Sequence, residues 1–309
     1  MNYGISILFR AIPLLMALFC FGYGAFVLDM GTDVNRFVAG PVVFSLGMIC
    51  IALFATAATI IRQLIHTYST AAKYVLPILG YLAAIVCFIG GMTYINDGIT
   101  AAHFVAGHVI CGVAFITACV ATTATASTRF TLIPQNSKRT DHTVPAKAFS
   151  SAQGDALIIL AVIFAVITWV WTFWLLGQSS THVAYFVAGH VMAGTLSILW
   201  GLWILTDIDP DKSSIGYIMI GLGLVCYSIS SKVILLAVIW RNVFKLANRI
   251  PLIPVLTALT CLFLSAFMFE MATLDDVYFV PARVLAGLGG ICFTLFSIVS
   301  ILESGTSNS

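Results

Sequence analysis

Nine apolar stretches alternate with short polar segments along the chain: residues 7–28, 38–61, 74–95, 104–126, 156–177, 186–205, 215–240, 251–270 and 280–302. Each is long enough to cross a bilayer, because a helix rising about 1.5 Å per residue needs about 20 mainly apolar residues to span the hydrocarbon. The longest polar segment, Ser127 to Asp155, carries Arg129, Lys138, Arg139, Lys147 and two prolines. It reads as a loop, since so polar a segment has no core to bury. The pattern predicts an all-α polytopic transmembrane bundle of about nine helices, forming one domain over residues 1–309.

A repeat lies beneath this pattern. Phe37-Val38-Ala39-Gly40-Pro41 recurs as Phe104-Val105-Ala106-Gly107-His108 and as Phe186-Val187-Ala188-Gly189-His190, with a degenerate copy at Phe279-Val280-Pro281-Ala282-Arg283. Each copy opens a helix after a loop of about eight residues that follows another helix, so the repeating unit is a two-helix hairpin. The expected hairpins are residues 7–61, 74–126, 156–205 and 251–302, with 215–240 unpaired. The first and second align beyond the motif, at Val42/Val109, Ile49/Ile116 and Arg62/Arg129, and the second and third at Val109/Val191 and Gly112/Gly194.

Composition narrows the class further. Apolar residues make up 61% and charged residues 8%, against roughly 25% charged in a soluble domain, so the chain cannot cover itself in water. A net charge of +2, thinly spread, excludes a nucleic-acid partner. All eight cysteines lie in apolar stretches without a CxxC pair, which argues against a metal or redox centre. Walker, GxGxxG, HExxH and GxSxG patterns are absent from fitting contexts, so no enzyme and no cofactor is expected. Arg10 precedes an apolar run from Ala11 to Leu28 with no small-x-small site after it, which predicts a retained first helix.

Lys and Arg mark the cytoplasmic side. Arg10 and the loops 62–73 and 127–155 are basic, whereas 29–36, 96–103 and 178–185 hold one Arg, no Lys and three aspartates. The N-terminus and loop 127–155 are therefore expected in the cytoplasm. With nine helices the last third disagrees: the basic loop Arg241–Arg249 falls outside and the acidic Asp207–Lys212 inside. Either the charge rule breaks there, or 186–205 is not a simple span. One cytoplasmic loop with its flanking half-helices, restored after Gly194, would give ten helices in five hairpins.

The FVAGH motifs, Thr56–Leu64 (TAATIIRQL), Phe130–Lys138 (FTLIPQNSK) and above all Ile215–Arg241 resemble the YhiM family of bacterial inner-membrane proteins over the whole chain. That family is a class of unknown function. The resemblance implies an inner-membrane location and a loose association with survival in acid. It brings no catalytic or binding residues. Its members are longer, and the shortfall falls where the repeat spacing breaks.

Ionisable groups inside a bilayer are costly and therefore need a reason. His103 and His108 flank the second motif and His182 and His190 the third, all on the non-cytoplasmic face. Histidine changes charge between acid and neutral pH, which makes these four candidate pH sensors or path residues. The alternatives are neutral histidines bonding across a helix contact, or a b-type haem held by His108 and His190. Lys232 sits in mid-span, either snorkelling or lining a polar path. Glu270 and Arg283 are placed to pair across the last hairpin. Glycines at 107/112, 189/194, 221/223 and 287/289/290 would let helices approach closely, within the chain or between copies of it. Thr56, Thr59, Thr117, Thr122, Thr123 and Thr125 bond their own helix or line a narrow route. Together these features predict a pH-responsive transporter or channel for a small solute or ion. The alternative is a non-transporting stress protein that associates with other membrane proteins.

Overall fold

The computed structural model describes residues 3–31, 33–64, 70–97, 100–127, 152–178 and 252–307, with the single positions Ala184, Ala188, Tyr217, Ile218 and Val225. Seven helices run through these residues: α1 (Tyr3–Asp29), α2 (Val34–Leu64), α3 (Thr70–Asn96), α4 (Ala101–Ser127), α5 (Ala152–Gly177), α6 (Leu252–Met271) and α7 (Phe279–Ser307). A 3-10 turn, Asp276–Tyr278, leads into α7, and the Asp275 carboxylate accepts the Val277 amide to cap it. Each helix matches one expected stretch and overruns most of its ends by a few residues, because backbone hydrogen bonding continues beyond the hydrocarbon into the interface. Six helical segments among the described residues are long and apolar enough to cross a membrane. The protein is an all-α membrane helical bundle. Apart from the single positions, 186–205 and 215–240, and with the latter Lys232, lie outside the described residues, as does most of loop 127–155.

Inner and outer helices alternate. In α2, α4 and α7 the membrane windows are 67%, 76% and 78% buried, against 28%, 39% and 33% in α1, α3 and α6. In these three hairpins the second helix thus forms the core and the first shields it from lipid. Leu18 and Phe26 on α1, Val75, Ile85 and Ile89 on α3, and Leu259 and Phe263 on α6 stay more than half exposed, as expected where the solvent is hydrocarbon. At the centre α2 touches α1, α3, α4 and α7, with Leu46 and Leu53 fully buried.

The seams within hairpins are held by small residues. A Cβ on Gly24 would lie 2.6 Å from the Phe44 nitrogen and 2.8 Å from the Gly40 carbonyl oxygen. In the second hairpin, a Cβ on Gly91 would lie 2.9 Å from both the Cys111 nitrogen and the Gly107 oxygen. The opposing glycines behave alike: a Cβ on Gly40 would meet Leu28 Cγ at 2.6 Å, and one on Gly107 would meet Ile95 Cγ1 at 2.6 Å. In the α6–α7 hairpin the Ser265 hydroxyl donates to the Ala282 carbonyl at 2.7 Å. Gly287, Gly289 and Gly290 face Leu46, Leu262 and Met16, so these glycines, like Gly107, pack helices of one chain together.

Helix directions follow from side-chain neighbours. Asn35 Nδ2 donates to the Asp276 carbonyl at 3.1 Å, and Gly287 meets Leu46, so α2 and α7 run parallel from the same rim. Trp171 of α5 contacts His108 and Phe115 while Trp174 contacts His108, so α5 runs antiparallel to α4 and ends at that rim. In the last hairpin, Ser265 of α6 meets Ala282 of α7, whereas the earlier Cys261 and Leu262 meet the later Gly289, so the two helices run antiparallel and α6 starts at the opposite rim. The chain thus leaves α5 at one rim and enters α6 at the other. Two full crossings between them, which the count of nine requires, would return it to the rim it left. The expected count of nine is not confirmed.

Gly24→Ala and Gly91→Ala should each destabilise the bundle by about 1–3 kcal/mol, the cost of overpacking a close seam. Gly22→Ala and Gly90→Ala, where a Cβ meets nothing within 4 Å, should leave thermal unfolding in detergent unchanged. Equal effects at all four positions would show that the seams do not depend on the missing methyl groups.

Candidate functional site at one rim

The three inner helices begin together at one rim, and the repeat places a different group at one equivalent position of each: Pro41, His108 and Arg283. Four residues earlier every copy carries a phenylalanine, one helical turn away and therefore beneath that group. The Phe104 and His108 rings lie 4.3 Å apart, edge to face. The Arg283 guanidinium sits 3.3 Å from the centre of the Phe279 ring and 4.9 Å from that of Phe269. These are aromatic platforms that favour a cation or an imidazole edge.

His108 is buried, with 3% of its surface exposed. Trp171 Nε1 donates to its Nδ1 at 2.9 Å, and Trp171 and Trp174 lie 5.6 and 6.2 Å from its ring. Indole nitrogen is a donor only, so His108 Nδ1 must hold a lone pair and the ring is neutral with its proton on Nε2. This bond joins α5 to α4, the helix on which α5 packs. His103 is different. It lies half-buried near the tip of the second hairpin, where Nδ1 shares a hydrogen bond with Thr100 Oγ1 at 2.8 Å and the ring rests 4.3 Å from that of Phe37. Each histidine has its own aromatic surroundings, and no ring contact joins the two among the described residues. His182 and His190, the other two candidates, lie outside the described residues, so the His108–His190 haem pair has no described geometry.

Glu270 and Arg283 do not meet as an ion pair. Arg283 Nη1 donates to the Phe279 carbonyl at 3.0 Å and its plane covers aromatic rings, while Glu270 is exposed at the end of α6. The ion pair among the described residues is Arg36–Asp33, at 3.2 Å. Arg36 also donates to the Met30 carbonyl at 3.1 Å and lies 5.7 Å from the centre of the Phe279 ring. Sequence patterning marked Phe279 only as the first residue of a motif copy, and selected neither Arg36 nor Trp171 as a site residue, although Trp171 lies directly opposite His108. The buried hydroxyls of Thr56, Thr59, Thr117 and Thr122 donate to the carbonyls of Ala52, Ala55, Val113 and Ala118 on their own helices. Tyr81 adds a bond from its hydroxyl to Thr122 Oγ1 at 3.1 Å. The side chains of Thr123 and Thr125 lie outside the description.

Comparison with known proteins completes the picture. The inner membrane protein YhiM of Escherichia coli (strain K12) is 42% identical over 350 aligned positions, which cover 99% of each chain. The present chain has 309 residues, so about forty of those positions have no counterpart in it. No solved structure matches. A family model described as "Protein of unknown function (DUF2776)" matches residues 1–198 and again 192–307. Its two stretches therefore meet at 192–198, beside Gly194, where the repeat spacing breaks. On these matches, which span nearly the whole length, this chain belongs to the DUF2776 family.

Proposed function

We propose that the protein is a multi-pass protein of the bacterial inner membrane in which acid loosens the packing of one rim and thereby gates the passage of a small solute or ion. The observation that carries this reading is the Trp171–His108 hydrogen bond, inside an aromatic enclosure, between α5 and α4. Only the neutral ring can accept it. Protonation removes the lone pair on Nδ1 and leaves two N–H donors facing each other, so the bond holds at neutral pH and is lost on acidification. The released imidazolium has reason to move toward the nearby rim, and α5 loses its polar attachment to α4. The name of the 42% identical relative, an inner membrane protein, supports the location.

The repeat supports a modular mechanism. Gly24, Leu28, Gly40 and Phe44 of the first hairpin make the same seam as Gly91, Ile95, Gly107 and Cys111 of the second, each 67 positions later in the sequence. We read this as duplication of a hairpin whose motif position was then varied through Pro41, His108 and Arg283. The N-terminus is cytoplasmic on this reading. The helix directions bring α6 in from that same rim, which supports a cytoplasmic position for the basic segment 241–249 on this reading.

Acidification should change the tryptophan fluorescence of the purified protein, because an imidazolium beside an indole quenches it and release of α5 alters its surroundings. His108→Gln should abolish that transition and any acid dependence of flux in liposomes. A variant that keeps the wild-type response would remove His108 as the switch. Trp171→Phe should cost about 1 kcal/mol at neutral pH, one hydrogen bond to a buried acceptor, and should bring the acid-like fluorescence state closer to neutrality.

Reporter fusions test the topology. A fusion within Arg241–Arg249 should report the cytoplasm, on the same side as one within 127–155. A periplasmic signal there would restore two full crossings between α5 and α6.

A further inference from the structure

We propose that Arg36 and Arg283 form a binding site for one oxyanion, a phosphate or carboxylate group, at the rim where α2 and α7 begin. The two guanidinium groups come from different helices, yet both lie by the Phe279 ring, at 5.7 and 3.3 Å from its centre. Two like charges converging on one apolar ring repel unless something negative is shared between them. Among the described residues Asp33 is the carboxylate that pairs with Arg36, and none lies within ion-pair distance of Arg283. Asp33 accepts the Arg36 amide through Oδ1 and pairs with its Nε through Oδ2. The Asp275 side chain caps the turn before α7. Asp276 lies beyond ion-pair distance of both arginines, and its carbonyl takes the Asn35 amide. Tyr23 is the other ionisable neighbour of Arg283.

Hydrogen bonding leads to the same place. Nε of Arg36 and Nε of Arg283 are both buried without a hydrogen-bond acceptor, the Arg36–Asp33 contact being an ion pair with no directed bond. A buried N–H of a charged group left unbonded is costly. An oxyanion seated between the two side chains supplies acceptors to both, in the forked geometry for which arginine is suited. Arg36 is about one-third exposed, so the pair is reachable from the rim, where water and lipid headgroups meet. This site is separate from the His108–Trp171 contact and does not depend on its titration.

A lipid headgroup phosphate and a free anion present the same chemistry, and two measurements separate them. The full chain, purified in an uncharged maltoside detergent, is unfolded thermally in chloride and in inorganic phosphate at equal ionic strength. In parallel it is examined by native mass spectrometry with phosphatidylglycerol or phosphatidylcholine. The wild type should be stabilised by phosphate over chloride, identifying a free anion, or should retain phosphatidylglycerol over phosphatidylcholine, identifying a headgroup. Arg36→Gln and Arg283→Gln should each weaken the preferred ligand about tenfold, the loss of one charge-assisted bond. Arg283→Lys, which keeps the charge without the fork, should fall between. A wild type indifferent to both probes overturns the proposal, without reliance on any variant's folding. Undiminished binding in both glutamine variants overturns it as well.

Discussion

The close approach of two helix backbones within the described hairpins, permitted where side chains are missing or small, is the constraint on which the rest of this bundle depends. Lipid tails are as apolar as leucine, so burying leucine gains little between helices in a membrane. Close packing and the hydrogen bonds it allows must hold the helices instead. Gly24 against Gly40 and Phe44, and Gly91 against Gly107 and Cys111, bring backbone atoms near van der Waals contact. Ser265 makes the corresponding approach in the last hairpin with a hydrogen bond to the Ala282 carbonyl.

From those seams follows the division into inner and outer helices. A hairpin closed at its glycines turns one helix inward and leaves the other against lipid, which is why burial in α2, α4 and α7 is about twice that in their partners. The inner helices then start at one rim, and the varied motif position in each is brought to the same level. Its occupants meet their neighbours in different ways. Pro41 packs, His108 accepts from Trp171, and Arg283 lies over Phe279 and Phe269. The deeper parts of the same helices are chemically quiet, because buried threonines return their hydroxyls to carbonyls of their own helices.

An ionisable side chain near a membrane rim has water on one side and hydrocarbon on the other, so small differences in its partners decide what it does. For His108 the partner is a donor-only indole, which commits the ring to its neutral form. For Arg283 the partners are ring faces and one carbonyl, which hold the plane of the guanidinium but leave one buried N–H unbonded. The first arrangement is closed and is disrupted by a proton. The second is incomplete and favours an acceptor.

Hydropathy along the chain was enough to place the seven described helices to within a few residues, because a bilayer imposes length and apolarity on every crossing whatever its neighbours are. The recurring motif likewise marked the positions of His108 and Arg283. Partnership was beyond it. Periodicity says which residues lie one turn apart on a helix, as Phe104 does from His108, but not which face of another helix comes opposite. Only tertiary packing set Trp171 against His108, brought Arg283 to Phe269 rather than to Glu270, and seated Arg36 near the Phe279 ring. It also decided direction: a count of apolar stretches has no sense of which rim a helix starts from, whereas the contacts of α7 with α2 fix both at once.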